Sequence, residues 1–294
     1  MGANLFGREP FEVKMAPSQS VPLVFNSPHS GRCYPQAFLD QSRLDARRIR
    51  KSEDFYVDEL FAHAVSVGAP LLVAHFPRAD LDVNREPYEL DPKMFAGRLP
   101  SYANIASTRV AGGLGTVPRL VAENVEIYAH PLRVGEALTR IETIYRPYHA
   151  CLRQLVARTH ARFGQAVLFD CHSMPASVRA ASSTVRPDFI IGDRYGTSAS
   201  QELSRAAALF LQQLGYNVTR NKPYAGGFIT EHYGRPARGL HALQIEVNRG
   251  LYFDEELLEK RPGFEMLASD LAQFIDAMVD VVQNELIARP LAAE

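Results

Sequence analysis

Short apolar segments alternate with longer amphipathic segments along this chain, and the alternation predicts an α/β fold. Apolar runs of strand length are typical of buried strands in a parallel sheet, whereas a 3.6-residue apolar period indicates helices packed against it. We therefore expect a mixed, mostly parallel central sheet with helices on both faces. Strands are predicted over 22–26, 70–75, 188–192, 216–219 and 240–247, with another beginning at Ala166, and helices over 44–67, 134–163, 198–214 and 265–286.

The same pattern predicts one domain after a short lead-in. Residues 1–20 are polar, and residues 21–290 are expected to form a single catalytic α/β domain. Between about 76 and 131 the periodicity disappears, and prolines and glycines become frequent. A segment of this length without regular structure is usually functional in a compact domain. We therefore expect a loop-rich insertion that acts as a lid or a binding loop.

The composition is that of an ordinary globular protein, with 294 residues, 46% hydrophobic and 22% charged. The net charge of −1 and the pI of about 6.8 indicate no basic surface for nucleic acid or an anionic membrane. No apolar run approaches the roughly 18 residues of a membrane span, and the N-terminus lacks the apolar core of a signal peptide. Three scattered cysteines do not suggest a disulfide framework. We expect a cytoplasmic protein that acts on a small molecule and binds neither nucleic acid nor membrane.

Titratable side chains lie at or near the ends of three predicted strands. His172 follows the strand that begins at Ala166, His29 follows the first strand, and Glu246 lies within the last one. In open α/β sheets, ligands bind beyond the carboxyl ends of the strands. Two histidines and a carboxylate are typical of a catalytic zinc site with a neighbouring base, although a structural buried histidine is the simpler alternative for each alone. Glu246 would take a proton from metal-activated water and pass it to the leaving amine.

A catalytic zinc ion requires three protein ligands and one open position for water. His29 and His172 provide two nitrogen donors. For the third ligand we favour Asp54 over Glu53 and Asp170, because the helix predicted after the first strand could bring Asp54 back toward the same sheet edge. Asp170 is better suited to orienting His172 through a hydrogen bond.

The loop-rich insertion opens with alternating polar residues. Asp80, Asp82 and Asn84 alternate with apolar positions, so a short strand would present them on one face. Arg85 follows with a planar guanidinium that suits a carboxylate. A solvated turn with weak surface ion pairs is the alternative, and the residues alone favour it.

Several short motifs occur in order along the chain, at 26–31, 82–85, 113–118, 170–173 and 245–252. Together they resemble the N-formylglutamate amidohydrolase (N-formylglutamate deformylase) family, which is related to aspartoacylases and zinc carboxypeptidases. The resemblance implies a phosphorylase/hydrolase-like fold and metal-dependent cleavage of N-formyl-L-glutamate to L-glutamate and formate in histidine degradation. It also implies that His29 and His172 bind the metal, that Glu246 is the acid/base, and that Asn84 and Arg85 grip a substrate carboxylate.

The chain departs from the related His-x-x-Glu metal motif, since Arg32 stands where the glutamate is expected. The acidic ligand therefore stays open among the carboxylates named above, with Asp54 preferred. The metal is expected to be zinc or another divalent ion such as cobalt. A formylated amino diacid carries two negative charges, and paired Arg–carboxylate contacts supply both energy and orientation. Further candidates for binding its carboxylates are Arg78, Arg194 and Arg235.

Three alternatives remain open on the sequence. The first is a related deacylase or carboxypeptidase that acts on another N-acyl amino acid or a short peptide. The second is a thiol hydrolase that uses Cys171 or Cys33, which requires a histidine close in space. The third is a non-catalytic ligand-binding protein that keeps the fold.

Overall fold

The computed structural model of the chain describes residues 9–179 and 186–286. These residues divide into two compact units. The first unit contains residues 9–12, Pro28–Asp54 and Val73–Cys151, and the second contains Val13–Ser27, Phe55–Leu72 and residues 152–179 and 186–286.

Regular structure alternates between strands and helices, as the hydrophobic pattern predicts. The strands are β1 (Phe11–Lys14), β2 (Leu23–Ser27), β3 (Leu71–Ala74), β4 (Phe95–Ala96), β5 (Leu120–Ala122), β6 (Val125–Glu126), β7 (Leu132–Arg133), β8 (Ala166–Met174), β9 (Phe189–Gly192), β10 (Val218–Arg220), β11 (Leu240–Asn248), β12 (Phe253–Asp254) and β13 (Glu259–Lys260). The α-helices are α1 (Gln36–Gln41), α2 (Val57–Leu60), α3 (His63–Ser66), α4 (Thr108–Ala111), α5 (Val134–Arg140), α6 (Arg146–Phe163), α7 (Gln201–Gln213), α8 (Phe228–Tyr233) and α9 (Gly263–Val281). Turns of 3₁₀-helix occur at Arg48–Ser52, Pro92–Met94, Arg194–Gly196, Pro236–Arg238 and Arg249–Leu251, and π-helical turns at Ile141–Tyr145 and Val282–Leu286.

A seven-stranded sheet has the order β1-β3-β2-β8-β11-β9-β10. Strand β8 pairs in parallel with both β2 and β11, and β9 pairs in parallel with β10, whereas β11 and β9 are antiparallel. This arrangement confirms the prediction of a mixed, mostly parallel sheet. All nine residues of β8 are buried, which explains its apolar first half, because a central strand is covered on both faces.

Helices cover both faces of the sheet in the second unit. On one face, the Phe169 ring stacks on Phe25 with centroids 5.0 Å apart and meets Phe274 of α9 edge-on at 6.0 Å. On the other face, the side-chain oxygen of Gln244 accepts a hydrogen bond of 2.7 Å from the backbone N–H of Gly227, at the start of α8. Phe169 and Gln244 therefore mark an apolar face and a polar face of the same sheet.

Truncating Phe169 to alanine is expected to lower the free energy of unfolding by about 3–5 kcal/mol, because a fully buried aromatic ring is replaced by a cavity. Denaturant titration of the purified protein measures the change. Leu209, half exposed on α7, provides the control, since its truncation should cost no more than about 0.5 kcal/mol. Equal costs for the two variants would contradict this assignment of the core.

The single helix predicted over 44–67 is wrong. The chain instead forms short helical turns that are interrupted where Glu53 is extended and Tyr56 adopts a left-handed conformation with φ of 57°. Within the interruption, the backbone N–H of Asp54 donates 3.0 Å to the carbonyl of His29. This tertiary hydrogen bond takes the place of an intrahelical one, and it brings Asp54 to the end of β2.

The other long helical predictions are confirmed. The segment over 134–163 is helical throughout, with a π-helical turn at Ile141–Tyr145 just before Pro147. That turn absorbs the hydrogen bond that a proline cannot donate. The regular elements between 76 and 131 are short, and β1 lies within the predicted lead-in. Among the described residues, no helix combines the length and the apolar character needed to cross a bilayer.

Candidate metal site

The imidazole of His29 is held between two carboxylates. Its Nε2 lies 2.8 Å from Asp82 Oδ1, and its Nδ1 lies 3.4 Å from Asp54 Oδ2. An ionised carboxylate only accepts hydrogen bonds, so Nε2 carries the hydrogen toward Asp82, and Nδ1 is the nitrogen that faces Asp54. Gly31 lets this turn pass close to the chain after β3, since a Cβ there would lie 1.9 Å from the Phe76 carbonyl oxygen.

Asp82 is ionised although it is buried. Burial alone would raise the pKa of its carboxyl, but the charges of Arg85 and Arg78 and the hydrogen bond with His29 hold that pKa well below its usual range. Its Oδ2 accepts a 3.0 Å hydrogen bond from Arg78 Nε, and its Oδ1 accepts one of 2.8 Å from the backbone N–H of Asn84. The carboxylate therefore serves as a fixed acceptor for His29.

The short strand expected at Asp80–Asn84 is wrong, because this stretch is irregular and has turns at Asp80 and at Val83 and Asn84. Asp80 has a different partner from Asp82: its Oδ1 forms an ion pair with Arg140 Nη1 at 3.0 Å. The role of Asp82 as the partner of His29 was missed in the sequence, although the alternation of polar residues singled it out. A turn, rather than the pleat of a strand, selects which of these polar side chains reaches His29.

The turn that carries Asn84 and Arg85 is held by hydrogen bonds from two residues of the helical segment over 134–163. His149 Nε2 donates 2.8 Å to the carbonyl of Val83, and the Tyr145 hydroxyl donates 2.6 Å to that of Arg85. Arg85 itself donates to the carbonyls of Asn84 and Leu114, each at 2.8 Å. Burial lowers the pKa of its guanidinium to about 10, so the group remains a cation at neutral pH.

In the second unit, buried polar side chains share one face of β8 and β11. Asp170 and His172 are two residues apart on β8, so they point to the same side, and their Oδ2 and Nε2 atoms are 2.9 Å apart. Asp170 is fixed in turn by Asn26 of β2, whose Nδ2 donates 2.7 Å to Oδ1. Asp170 is thus close enough to orient His172, and that role stays a prediction.

Glu246 lies directly opposite His172 in the parallel pairing of β8 and β11. The two side chains therefore lie next to each other on the polar face of the sheet. Glu246 is buried, and its Oε1 accepts a 2.8 Å hydrogen bond from Gln244 Nε2. The period of two along β11 was the signal in the sequence that could have identified Gln244.

His29, Asp54 and His172 form a group that could hold a metal ion, with one ligand atom from each residue and all three atoms within 4.8 Å of one another. The donor set of two imidazoles and a carboxylate fits a divalent metal such as zinc. Each imidazole also meets a carboxylate through Nε2, which matches the carboxylate–histidine–metal pattern of known sites.

The two alternative acidic ligands are engaged elsewhere. Glu53 pairs with Arg50, with Nε and Oε2 2.9 Å apart, and also accepts a hydrogen bond from the Tyr34 hydroxyl. Asp170 accepts hydrogen bonds from Asn26 and His172, as described above. This geometry favours Asp54.

Two of the predicted substrate-binding arginines, Arg194 and Arg235, lie around α8. Arg194 Nη2 is 2.6 Å from Glu231 Oε2, and Arg235 Nη1 donates to the carbonyls of Glu231 and Gly234 at the end of that helix. Their role in substrate binding stays a prediction.

The thiol of Cys171 lies on the opposite face of β8 from His172. It is fully buried, and burial followed by the charge of Asp170 raises the pKa of the thiol well above its usual value. A protonated thiol on the apolar face is a poor nucleophile. This placement argues against a hydrolase that uses Cys171.

The fold and the site define an α/β protein with a candidate metal centre and a buried glutamate on the strand next to His172. Residues 21–253 match the family model described as N-formylglutamate amidohydrolase, and the chain belongs to this family. The expectation of a hydrolase that acts on an amide bond is thereby confirmed at the level of the family.

Individual relatives agree with the family assignment. The chain is 31% identical to an N-formylglutamate deformylase of Pseudomonas putida over 238 residues, covering 80% of this chain and 83% of the relative. It is 29% identical to the N-formylglutamate deformylase of Pseudomonas aeruginosa over 271 residues, covering 91% and 93%.

A crystal structure of N-formylglutamate amidohydrolase from Ralstonia eutropha superposes with a TM-score of 0.88 at 34% identity, covering 94% of this chain and 99% of that one. A gene product of Agrobacterium tumefaciens shares the fold at a TM-score of 0.67 and 17% identity, covering 94% and 97%.

Proposed function

We propose that this protein is a metal-dependent amidohydrolase that cleaves N-formyl-L-glutamate to L-glutamate and formate, a step of histidine degradation. The observation that carries the proposal is the group of His29, Asp54 and His172, with Glu246 opposite His172 on the adjacent strand. Membership of the N-formylglutamate amidohydrolase family supports the substrate.

His29, Asp54 and His172 would hold the metal, for which zinc and cobalt are the candidates. When bound, such an ion supplies a Lewis acid that lowers the pKa of water and polarises a carbonyl oxygen. Asp82 and Asp170 orient the two imidazoles, because each carboxylate meets an Nε2 atom at hydrogen-bonding distance.

Glu246 moves the proton in this proposal. Its carboxylate accepts a proton from the water that attacks the formyl carbon, and it returns that proton to the amine as the C–N bond breaks. The hydrogen bond from Gln244 fixes one oxygen of Glu246 and thereby the direction of its carboxyl group. Water adds to the formyl carbon, and the products are formate and the free amine of glutamate.

Asn84 and Arg85 bind a carboxylate of the substrate. Arg78, whose Nε donates a hydrogen bond to Asp82, lies beside them. Arg85 is held in a turn whose carbonyls are fixed by Tyr145 and His149. Arg194 and Arg235, near α8, are proposed to assist with the other carboxylate.

Two measurements test the function directly. Purified protein is expected to contain about one divalent metal per chain by elemental analysis, as a single three-ligand site holds one ion. It is also expected to release formate from N-formyl-L-glutamate. Faster release of acid from N-acetylglutamate or a short peptide would instead favour the related deacylase or carboxypeptidase.

Replacing Arg85 by lysine is expected to raise KM for N-formyl-L-glutamate by about ten- to a hundredfold, because a bidentate charged hydrogen bond of about 1.5–3 kcal/mol is lost. Steady-state formate release measures the effect. Arg158→Lys, on the exposed side of α6, is the matched control and should leave KM unchanged. An unaltered KM in the Arg85 variant would exclude this residue from substrate binding.

A further inference from the structure

The segment after β11 contacts the residues that immediately follow two proposed metal ligands. Arg249 is buried, and its Nε donates 3.0 Å to the Oγ of Ser173, the neighbour of His172. Its guanidinium also lies over the ring of Phe55, the neighbour of Asp54, with Cζ 5.7 Å from the ring centroid. The Arg249 side chain therefore contacts the residues that follow both ligands, Ser173 after His172 and Phe55 after Asp54.

Two more side chains of the same segment hold Phe55. The Tyr252 hydroxyl donates 2.8 Å to the backbone carbonyl of Phe55. The Phe253 ring stacks on the Phe55 ring with centroids 4.1 Å apart and an interplanar angle of 17°. All three side chains are buried, so Phe55 is fixed at both its backbone and its ring.

The guanidinium of Arg249 is itself fixed in direction. Its Nη1 donates 3.2 Å to Glu255 Oε1, while the other carboxylate oxygen accepts a 3.1 Å hydrogen bond from the backbone N–H of Ala176. The turn that carries Arg249 is closed by Asn248 Oδ1, which accepts from the N–H of Gly250 at 2.9 Å. A planar guanidinium whose N–H groups already donate several hydrogen bonds loses little conformational entropy when it positions a neighbouring residue.

We infer that Arg249 and Tyr252 are positioning residues that fix the spacing of the metal ligands Asp54 and His172 relative to Glu246. Glu246 lies on β11, three residues before Arg249, which follows the end of that strand. The segment that contains Arg249 and Tyr252 therefore connects Glu246, the proposed general base, to Phe55 and Ser173, the residues that follow two of the proposed ligands. This inference rests on the proposed function. It assigns a role to the second half of the 245–252 motif, which the proposed chemistry does not use.

Zinc affinity of the metal-free full chain tests the inference, measured by competition with a chromophoric chelator. Arg249→Lys keeps the charge but removes the planar fork, and Tyr252→Phe removes a single hydroxyl. Both variants are expected to bind zinc about tenfold or more weakly, as is usual when groups that support metal ligands are removed.

Tyr216→Phe is the matched control, because it removes a hydroxyl that donates 2.6 Å to Asp270 in another part of the same unit. Its zinc affinity should equal that of the unaltered chain, while the melting temperatures of the two tyrosine variants fall by similar amounts. This comparison separates a loss of positioning from a general loss of stability.

Zinc affinities within twofold of the unaltered chain in both the Arg249 and the Tyr252 variants would overturn the positioning role and leave the proposed function standing. Failure of the unaltered chain to bind any divalent metal would instead overturn the proposed function, and the positioning role with it.

Discussion

Glu246→Gln is expected to lower kcat for N-formyl-L-glutamate by at least about a hundredfold, the usual size of a general acid/base contribution. An amide has nearly the same shape as the carboxylate, and its oxygen can still accept the hydrogen bond from Gln244. It cannot take a proton from water at neutral pH. The fold and the metal content should therefore survive while turnover fails. Formate release and elemental analysis on the same preparation measure both.

The exposed Glu202 on α7 offers a matched control for this change. Glu202→Gln alters the same functional group away from the polar face of the sheet and should leave kcat unchanged. Turnover of the Glu246 variant at the level of the unaltered protein would remove Glu246 from the mechanism. Loss of metal from that variant would instead indicate that Glu246 is a ligand rather than the base.

Removal of the metal is expected to abolish formate release, and stoichiometric zinc or cobalt should restore it. The physical reason is that His29, Asp54 and His172 provide a preformed donor group for an ion that, when bound, lowers the pKa of water. Treatment with a strong chelator, dialysis and titration with each metal measure the effect. Activity that survives complete removal of metal would exclude this mechanism.

His172→Ala tests the same site from the protein side. Removing one of three ligands is expected to weaken zinc binding by more than about a hundredfold, since even supporting partners of ligands contribute about 10- to 100-fold. The control is His63→Ala, because His63 pairs with Asp276 on the surface of the second unit. Equal zinc affinity in the two variants would exclude His172 as a ligand.

The strand predictions succeeded where burial alone dictates the pattern. Strands β2, β8 and β11 are apolar over most of their length because neighbouring strands and helices cover them. The polar residues at their ends depart from that pattern, and this departure is what drew attention to His172 and Glu246. The period of two along each strand places Asp170 with His172 and Gln244 with Glu246. The register of β8 against β11, which only the structure provides, puts the two pairs on one face.

The helix predicted over 44–67 failed because its apolar period is compatible with several short turns as well as with one helix. The hydrogen bond between Asp54 and His29 decides between them, and it joins residues 25 positions apart in the chain. The helix expected to carry Asp54 does not form, and the role of Asp54 as the acidic ligand stays a prediction.

The sequence by itself determined the fold class through its hydrophobic periodicity, and the family through its ordered short motifs, because both can be read along the chain without knowing which segments meet in space. Only the tertiary structure decided which carboxylate meets which imidazole. Asp82 reaches His29 through a turn that is held by Tyr145 and His149, and no local pattern encodes that contact. Such pairings depend on distant segments meeting in space, where burial makes an unmatched charge costly and so selects the partner.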